Sequence, residues 1–111
     1  MEKLKQSILI PVDFREQSLA AIKQAYNLAR INKFDLTLLY VLEDSSFWSG
    51  LFSDFQEEEL IKRAKANLEN LAERTSKESG LIVHSLVRKG RAYVEINEVA
   101  EEIEAKYIFM G

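Results

Sequence analysis

The fold is decided by the stretch Ser7-Ile8-Leu9-Ile10-Pro11-Val12-Asp13-Phe14, in which an apolar, β-branched run ends at a carboxylate. The residues from Ile8 to Val12 are continuously apolar, which predicts a strand that is buried on both faces. Pro11 has no N–H to donate to a sheet, so we expect it near the end of the strand, where pairing stops. Because ligands bind outside the carboxyl ends of the strands in an open parallel sheet, Asp13 is the first candidate binding residue.

A helix and a second buried strand are predicted to follow. The helix extends from Glu16 to Ile31 and ends at Asn32-Lys33, and its apolar residues recur at spacings of three and four, as one buried face requires. The predicted buried face consists of Leu19, Ile22, Ala25, Tyr26, Leu28 and Ala29. The strand runs from Leu36 to Val41, and together these elements form a βαβ unit, whose strands are parallel.

A second helix is predicted to begin at Ser53-Asp54-Phe55-Gln56, which has the spacing of a capping box. The glutamates at 57–59 suit the positive end of a helix dipole. Gly80 can adopt the left-handed conformation that ends a helix, which places the last residue near Ser79. The predicted inner face consists of Leu60, Ala64, Leu68, Leu71 and Thr75.

The segment from Glu43 to Phe55 precedes this helix and is rich in aromatic residues. Phe47, Trp48 and Phe52 stand there among serines, which is more apolar surface than a solvated loop favours. Two interpretations are open. The aromatic residues could fold back over the sheet as a cover, or they could form a lid or a subunit contact.

The remaining chain predicts a third strand, a third helix and a fourth strand. The third strand, Leu81 to Arg88, contains polar residues and is therefore expected at an edge of the sheet. Gly90 opens the next loop, and the helix after it is expected to bury Ile96, Val99, Ala100 and Ile103. The fourth strand, Lys106 to Gly111, is expected to be buried. Since no helix follows to cover it, we expect the sequence to be shorter than the gene product, and residues 1–111 alone to associate through a free edge.

Composition indicates one globular domain over residues 1–111. Hydrophobic residues make up 47% and charged residues 30% of the chain, and the net charge of −3 comes from interleaved acidic and basic residues. That balance argues against a nucleic-acid surface, which needs a basic stripe. The chain has no cysteine and no run of about 20 apolar residues that could span a membrane. We therefore expect a cytoplasmic protein with no membrane partner.

Several catalytic classes lack their residues. Neither a G-x-x-x-x-G-K-[ST] loop nor a G-x-G-x-x-G after the first strand is present. A receiver domain that accepts a phosphoryl group would need an aspartate at the end of the third strand, where Val87-Arg88-Lys89-Gly90 stands. A Ser-His-Asp site would depend on His84, the only histidine, which lies in the middle of a predicted strand. No His/carboxylate spacing indicates a metal, and no residue is assigned a catalytic role.

Binding is better supported. The carboxyl ends of the predicted strands bring Asp13, Val41, Lys89-Gly90 and Met110-Gly111 to one crevice. An adenine would fit there, because apolar walls hold the ring while a carboxylate or backbone carbonyl accepts a hydrogen bond from its amine. Each residue also has a structural explanation: Asp13 could cap the first helix, Val41 could be core, and the glycines could serve turns.

Taken together, these motifs resemble those of the universal stress protein family. The resemblance is carried by Ile8 to Asp13 before an amphipathic helix, by Leu38-Leu39-Tyr40-Val41, by Val87 with Gly90, and by Tyr107 to Gly111. The match spans the whole chain in order. It implies an α/β fold with an open, Rossmann-like parallel sheet of strand order 3-2-1-4 (3-2-1-4-5 in the family), helices on both faces, and a cytoplasmic homodimer.

The resemblance also implies where a nucleotide would bind. In nucleotide-binding members the adenine contacts the loop after the first strand and the end of the second, and the phosphates lie on a glycine-rich loop that starts at the end of the fourth. On this chain the candidates are Pro11, Val12, Asp13, Val41, Gly90, Met110 and Gly111. Gly111 matches the first glycine of that loop, and the others would lie beyond it. Arg15 stands where the family often has a capping serine, which leaves Ser18 as a later match.

The predicted function is that of a universal stress protein-like module in a stress-response or regulatory role. It would bind an adenine nucleotide, ATP or AMP, with Mg²⁺ accompanying ATP. A slow ATPase ranks last because the sequence offers no evident general base for water. The alternative is a nucleotide-free dimeric scaffold with the same fold.

Overall fold

A computed structural model of the chain describes residues 6–14, 16–43 and 54–110, except the side chains of 54–56. Within these residues four strands alternate with three helices, as the sequence predicts. In chain order they are β1 (Ser7–Pro11), α1 (Glu16–Asn32), β2 (Asp35–Glu43), α2 (Asp54–Ser79), β3 (Val83–Gly90), α3 (Ala92–Glu102) and β4 (Tyr107–Ile108). Residues 44–53 of the aromatic segment, which include Ser53 of the capping box, lie outside the described residues, as do Arg15 and Gly111.

The four strands form one parallel sheet in the order β3-β2-β1-β4. This confirms the predicted fold class and strand order, and it places β3 at an edge, as its polar residues indicated. The central strand β1 buries Ile8, Leu9 and Ile10 completely. Each such side chain contributes roughly 1.5–3 kcal/mol to stability when it is removed from water.

Helices cover both faces of the sheet and create two cores. On one face Ile8 and Ile10 pack in a cluster with residues of α1 and α2, including Ala25 and Leu68. On the other face Leu9 packs in a second cluster with residues of β2 and α3, which are Leu39, Ile96 and Val99. Successive residues of a strand point to opposite faces, so the continuous apolar run of β1 serves both cores.

The two long helices end as their sequences predict. Lys33 follows α1 with φ +58°, and the N–H of Phe34 then donates to the Ala29 carbonyl at 2.9 Å. Gly80 follows α2 with φ +75°, and its N–H donates to the Ser76 carbonyl at 2.8 Å. Both arrangements satisfy backbone groups that would otherwise be left without partners at a helix end.

Two residues predicted on buried helix faces are exposed: Leu19 by 40% and Leu60 by 39%. Leu19 lies on the side of α1 toward α2, where it lines a groove with Phe14 and Leu71 rather than packing on the sheet. In α2, 26 residues long and about 39 Å at 1.5 Å per residue, Leu60 precedes the first buried residue, Ala64. The nine residues of β2 span only about 30 Å, so the first turns of α2 have less sheet beneath them.

Pro11 occupies the last position of β1 and has no N–H to donate to a neighbouring strand. The N–H of Val12 donates to the Leu39 carbonyl on β2 at 2.8 Å, whereas the Leu9 carbonyl accepts from Phe109 on the β4 side at 2.9 Å. Backbone groups of successive residues point to opposite sides of a strand. Those of Leu9 and Pro11, two residues apart, therefore point to the same side, toward β4. The next N–H that β4 pairing would require is therefore absent.

This explains why β4 differs from its prediction. The sequence predicts a buried strand over 106–111, but pairing with β1 covers only Tyr107–Ile108. Both residues, and Met110 after them, are exposed hydrophobic side chains. A strand at the edge of a sheet, limited by a proline in its neighbour, has no second partner to bury it.

Among the helices of the described ranges, none is both long enough and apolar enough to cross a membrane.

Candidate functional site

A cleft of about 590 Å³ opens at the carboxyl edge of the sheet, between the ends of β1 and β2 and the first turns of α3. Five of the seven residues predicted to bind a nucleotide line it together: Pro11, Val12, Asp13, Val41 and Met110. Six residues that the prediction did not assign to the site also line it: Ser18, Leu39, Tyr40, Glu43, Ala92 and Ile96. The structure thus brings most of the predicted residues into one cavity, as expected for strand ends of a parallel sheet.

One wall of the cleft is apolar. Leu39 and Val41 are alternate residues of β2 and share the face of the sheet that α3 covers. Ala92 and Ile96, one turn apart on α3, stand across from them. An apolar slot between a sheet and a helix suits a flat aromatic ring. Transfer of the ring from water into the slot is favourable, and the faces of the ring need no polar partner.

Asp13 is held in place at the start of α1. The Ser18 hydroxyl donates to Asp13 Oδ1 at 2.7 Å, and the Asp13 N–H lies 3.4 Å from the same hydroxyl. Ser18 itself is buried. The bond ties the carboxylate to the first turn of α1, and the same carboxylate lines the cleft. A hydrogen-bonded carboxylate has a defined orientation toward a ligand.

The turn after Asp13 is strained. Phe14 has φ +66°, a region that bulky residues rarely adopt and that costs of order 1 kcal/mol. Its ring lies 5.4 Å from that of Tyr40, centre to centre. This contact compensates part of the cost and fixes the path by which the chain leaves β1. The turn also divides two cavities, because Asp13 lines the cleft while Phe14 lines the groove between α1 and α2.

That groove, of about 610 Å³, is as large as the cleft but is a weaker candidate. Its described lining combines Phe14, Leu19 and Leu71 with polar side chains of α2. It lies on the helical layer rather than at the carboxyl ends of the strands, where open parallel sheets bind their ligands.

The charge of the cleft is acidic. Asp13 and Glu43 line it, and none of the described lining residues is a lysine or arginine. The two cations at the end of β3 are paired with helices: Arg88 Nη2 lies 2.5 Å from Glu102 Oε2 on α3, and Lys89 Nζ forms a salt bridge with Glu57 on α2. The described walls therefore suit a neutral hydrogen-bond donor better than an anion.

Gly90 lies opposite Glu43 in the register of β2 and β3, outside the residues that line the cleft. Its φ of +147° favours glycine. A Cβ there would lie 3.1 Å from the side chain of Glu95, closer than such contacts normally come. Close packing of Glu95 thus explains the glycine without a ligand. Gly90 is the last residue of β3, not the first of the loop.

His84 lies at the opposite end of the sheet from the cleft. Its Nε2 is 3.2 Å from Asp35 Oδ2, and it pairs with Thr37 in the β2–β3 register. Within residues 6–14, 16–43 and 54–110, no group of three or more His, Cys, Asp or Glu side chains could hold a metal ion.

Glu43 is the charged lining residue that the sequence prediction missed. The predicted second strand ends at Val41, whereas β2 continues to Glu43. The available signal was the spacing, since Glu43 follows Val41 by two residues and an extended chain places both side chains on one face. An acidic residue at the end of an apolar strand reads equally well as the start of a loop.

Comparisons with known proteins agree with this architecture. The model of the universal stress protein family matches residues 5–111. Universal stress protein MJ0531 of Methanocaldococcus jannaschii is 32% identical over 113 residues, which cover 99% of this chain and 66% of that protein. The chain thus spans about two thirds of the length of this relative.

Solved structures show the same fold. The universal stress protein from Archaeoglobus fulgidus in complex with dAMP superposes with a TM-score of 0.77 at 19% identity, over 98% of this chain and 82% of that one. A universal stress protein in complex with cAMP gives a TM-score of 0.70 at 17% identity, over 96% and 75% of the two chains. On the match of its family model and the identity with its archaeal relative, the chain belongs to the universal stress protein family.

Proposed function

We propose that the cleft at the carboxyl edge of the sheet binds an adenine nucleotide, ATP or AMP, and that the protein acts as a nucleotide-responsive module in a stress or regulatory role. The proposal rests on one observation: the same cavity contains an apolar slot and the carboxylate of Asp13, which a hydrogen bond from Ser18 holds in place. Its volume of about 590 Å³ falls within the range of small-molecule sites. Two relatives of the same fold were solved with cAMP and dAMP.

In the proposed binding mode, different parts of the nucleotide contact residues at the ends of three strands. The base would lie in the slot between Val41 and Ile96, and Asp13 would face the base and ribose from the end of β1. The phosphates would leave toward Met110 and Gly111 after β4, where the family resemblance places the phosphate loop. When ATP is the ligand, we expect Mg²⁺ to be held mainly by the phosphates, as this ion commonly is.

We place binding ahead of catalysis. Hydrolysis of ATP needs a group that activates or orients water near the terminal phosphate. The only histidine of the chain, His84, lies at the amino ends of the strands, away from the cleft, and contacts Asp35. Asp13 is engaged by Ser18 at the helix entry. These contacts favour a protein that senses or stores a nucleotide over an ATPase.

A nucleotide-free dimeric scaffold is the second candidate. The exposed hydrophobic side chains at the β4 edge, Tyr107, Ile108 and Met110, favour it, because an apolar edge of a sheet is a surface for association. A homodimer is compatible with both candidates. Association without any nucleotide affinity would identify the scaffold.

Isothermal titration calorimetry with AMP, ADP and ATP tests the proposal. We expect the protein to bind at least one of them, and Asp13→Asn to weaken binding about tenfold or more through loss of a charge-assisted hydrogen bond. Asparagine caps helices as well as aspartate does, so circular dichroism should show an unchanged fold.

Ser18→Ala is the matched control, since it removes the Ser18–Asp13 hydrogen bond and keeps the carboxylate. We expect its affinity to fall less than that of Asp13→Asn. Absence of binding to all three nucleotides at millimolar concentration would refute the proposed function.

A further inference from the structure

We propose that Glu43 selects adenine against 6-oxo purines by accepting a hydrogen bond from the 6-amino group of the base. The inference rests on the proposed function, because it assigns one end of the nucleotide to a residue of the same cleft. Glu43 lines the cleft together with Asp13 and Val41. Neither the sequence motifs nor the family resemblance pointed to it.

The position of Glu43 on the sheet supports this assignment. It is the last residue of β2 and follows Val41 by two residues, so both side chains lie on the face covered by α3, about 6.6 Å apart along the strand. Its partner in the β3 register is Gly90, which has no side chain, and the space beside that glycine is taken by the side chain of Glu95 on α3, a second carboxylate at this corner. Glu43 is exposed and its side chain stands at the rim of the apolar slot.

The proposed binding mode, in which the phosphates leave toward β4, determines which end of the nucleotide reaches Glu43. The end of β4 lies two strand spacings from β2, roughly 10 Å across the sheet. That distance is comparable to the reach of an adenosine from its 5′ carbon to the far edge of its base. With the ribose over β1, the edge of the base that carries the 6-amino group comes to the end of β2.

The charges of the described residues at this corner disfavour the opposite orientation. A phosphate near Glu43 would meet a carboxylate, and the nearest cations of β3 are engaged: Arg88 with Glu102 and Lys89 with Glu57. A neutral donor is the group that a carboxylate in this position can bind favourably. The amine of adenine is such a donor, whereas a 6-oxo purine presents an acceptor oxygen at that position and carries its donor on the adjacent N1.

The test compares AMP with IMP, which differ only in the amino or oxo group and the adjacent ring proton. By titration calorimetry we expect the wild type to bind AMP at least about tenfold more tightly than IMP, as sites built around one hydrogen bond do. In Glu43→Gln the amide NH₂ can donate to a carbonyl oxygen, so the preference for AMP should fall to about threefold or less.

Glu98→Gln is the control, since it removes the same charge from the exposed side of α3. It should keep the wild-type preference. An unchanged ratio in Glu43→Gln, or equal gains in affinity for both nucleotides through loss of charge alone, would overturn the inference.

The two proposals fail in different ways. If the wild type binds AMP and IMP with equal affinity, the proposed function stands and the role of Glu43 is wrong. If it binds neither, the proposed function is refuted and this inference falls with it.

Discussion

Polar groups at the two ends of the strands, called here the amino edge and the carboxyl edge of the sheet, have opposite surroundings. At the amino edge, Ser7, Asp35 and Thr37 are buried and bonded to one another: the Ser7 and Thr37 hydroxyls are 2.7 Å apart, and Ser7 also donates to the Asp35 carbonyl at 3.2 Å. At the carboxyl edge, Asp13 and Glu43 are exposed and face a cleft. One edge bonds its hydroxyl groups within the fold, while the other presents its carboxylates to the cleft.

From this difference we expect the amino edge to contribute to stability and the carboxyl edge to ligand binding. A buried polar group without a partner costs roughly 1–3 kcal/mol, so the amino-edge network has to be complete for the strands to hold their register. The amino edge also joins helices: Arg30 on α1 donates from Nε to the Ser79 carbonyl and from Nη2 to the Glu78 carbonyl, each at 2.8 Å. We therefore expect substitutions at this edge to change the free energy of unfolding and leave nucleotide affinity unchanged.

Thr37→Val should have the largest effect. Valine matches threonine in shape but removes the hydroxyl bonded to Ser7 at 2.7 Å in a fully buried position. We expect a loss of about 1–3 kcal/mol in the free energy of unfolding, measured by urea denaturation. Thr37→Ser keeps the hydroxyl and serves as the control for the hydrogen bond. If Thr37→Val weakened AMP binding with stability intact, the division between the edges would be wrong.

Arg30→Met should have an intermediate effect. It keeps the length and apolar stem of the side chain and removes both hydrogen bonds to the end of α2, which should cost about 1 kcal/mol at this partly exposed site. Arg30→Lys can restore one donor and should recover part of the loss. Thermal unfolding of the three proteins measures the difference. Equal midpoints would show that the end of α2 needs no anchor from α1.

His84→Gln should have the smallest effect. The histidine side chain is 55% exposed, so its contact with Asp35 is screened by water and contributes about 0.5 kcal/mol or less. Glutamine can still donate to the carboxylate. A loss well above 1 kcal/mol in urea denaturation would mean that this pair belongs to the buried network and not to its solvated border.

The sequence predicted the carboxyl edge better than the amino edge. Asp13 and Val41 were assigned to one crevice because residues that follow parallel strands meet at the same edge, a rule that needs only the order of the elements. The contacts of the amino edge join residues 28 to 49 positions apart, such as Ser7 with Asp35 and His84 with Asp35. No periodicity of the chain reports such pairs, so they could not be predicted.

The burial of Leu19 and the length of β4 were predicted wrongly because each depends on a neighbouring element of the fold. Leu19 follows the helical spacing of a buried face, yet it lies in the groove toward α2, because other residues of α1 pack on the sheet, among them Ile22, Ala25 and Ala29. The length of β4 depended on which side of β1 the nitrogen of Pro11 faces. Both outcomes follow from how elements lie against one another.

By itself, the sequence determined the alternation of strands and helices, the burial of both faces of β1, and the left-handed end of α2, because each depends on residues within a few positions of one another. Only the tertiary structure decided that Glu43 joins Asp13 at one cleft, that Gly90 accommodates Glu95, and that β4 stops where Pro11 lacks an N–H. These features depend on register and on the packing of distant elements. Local patterns specify which element forms, whereas the contacts that build a site arise only when the elements are placed together.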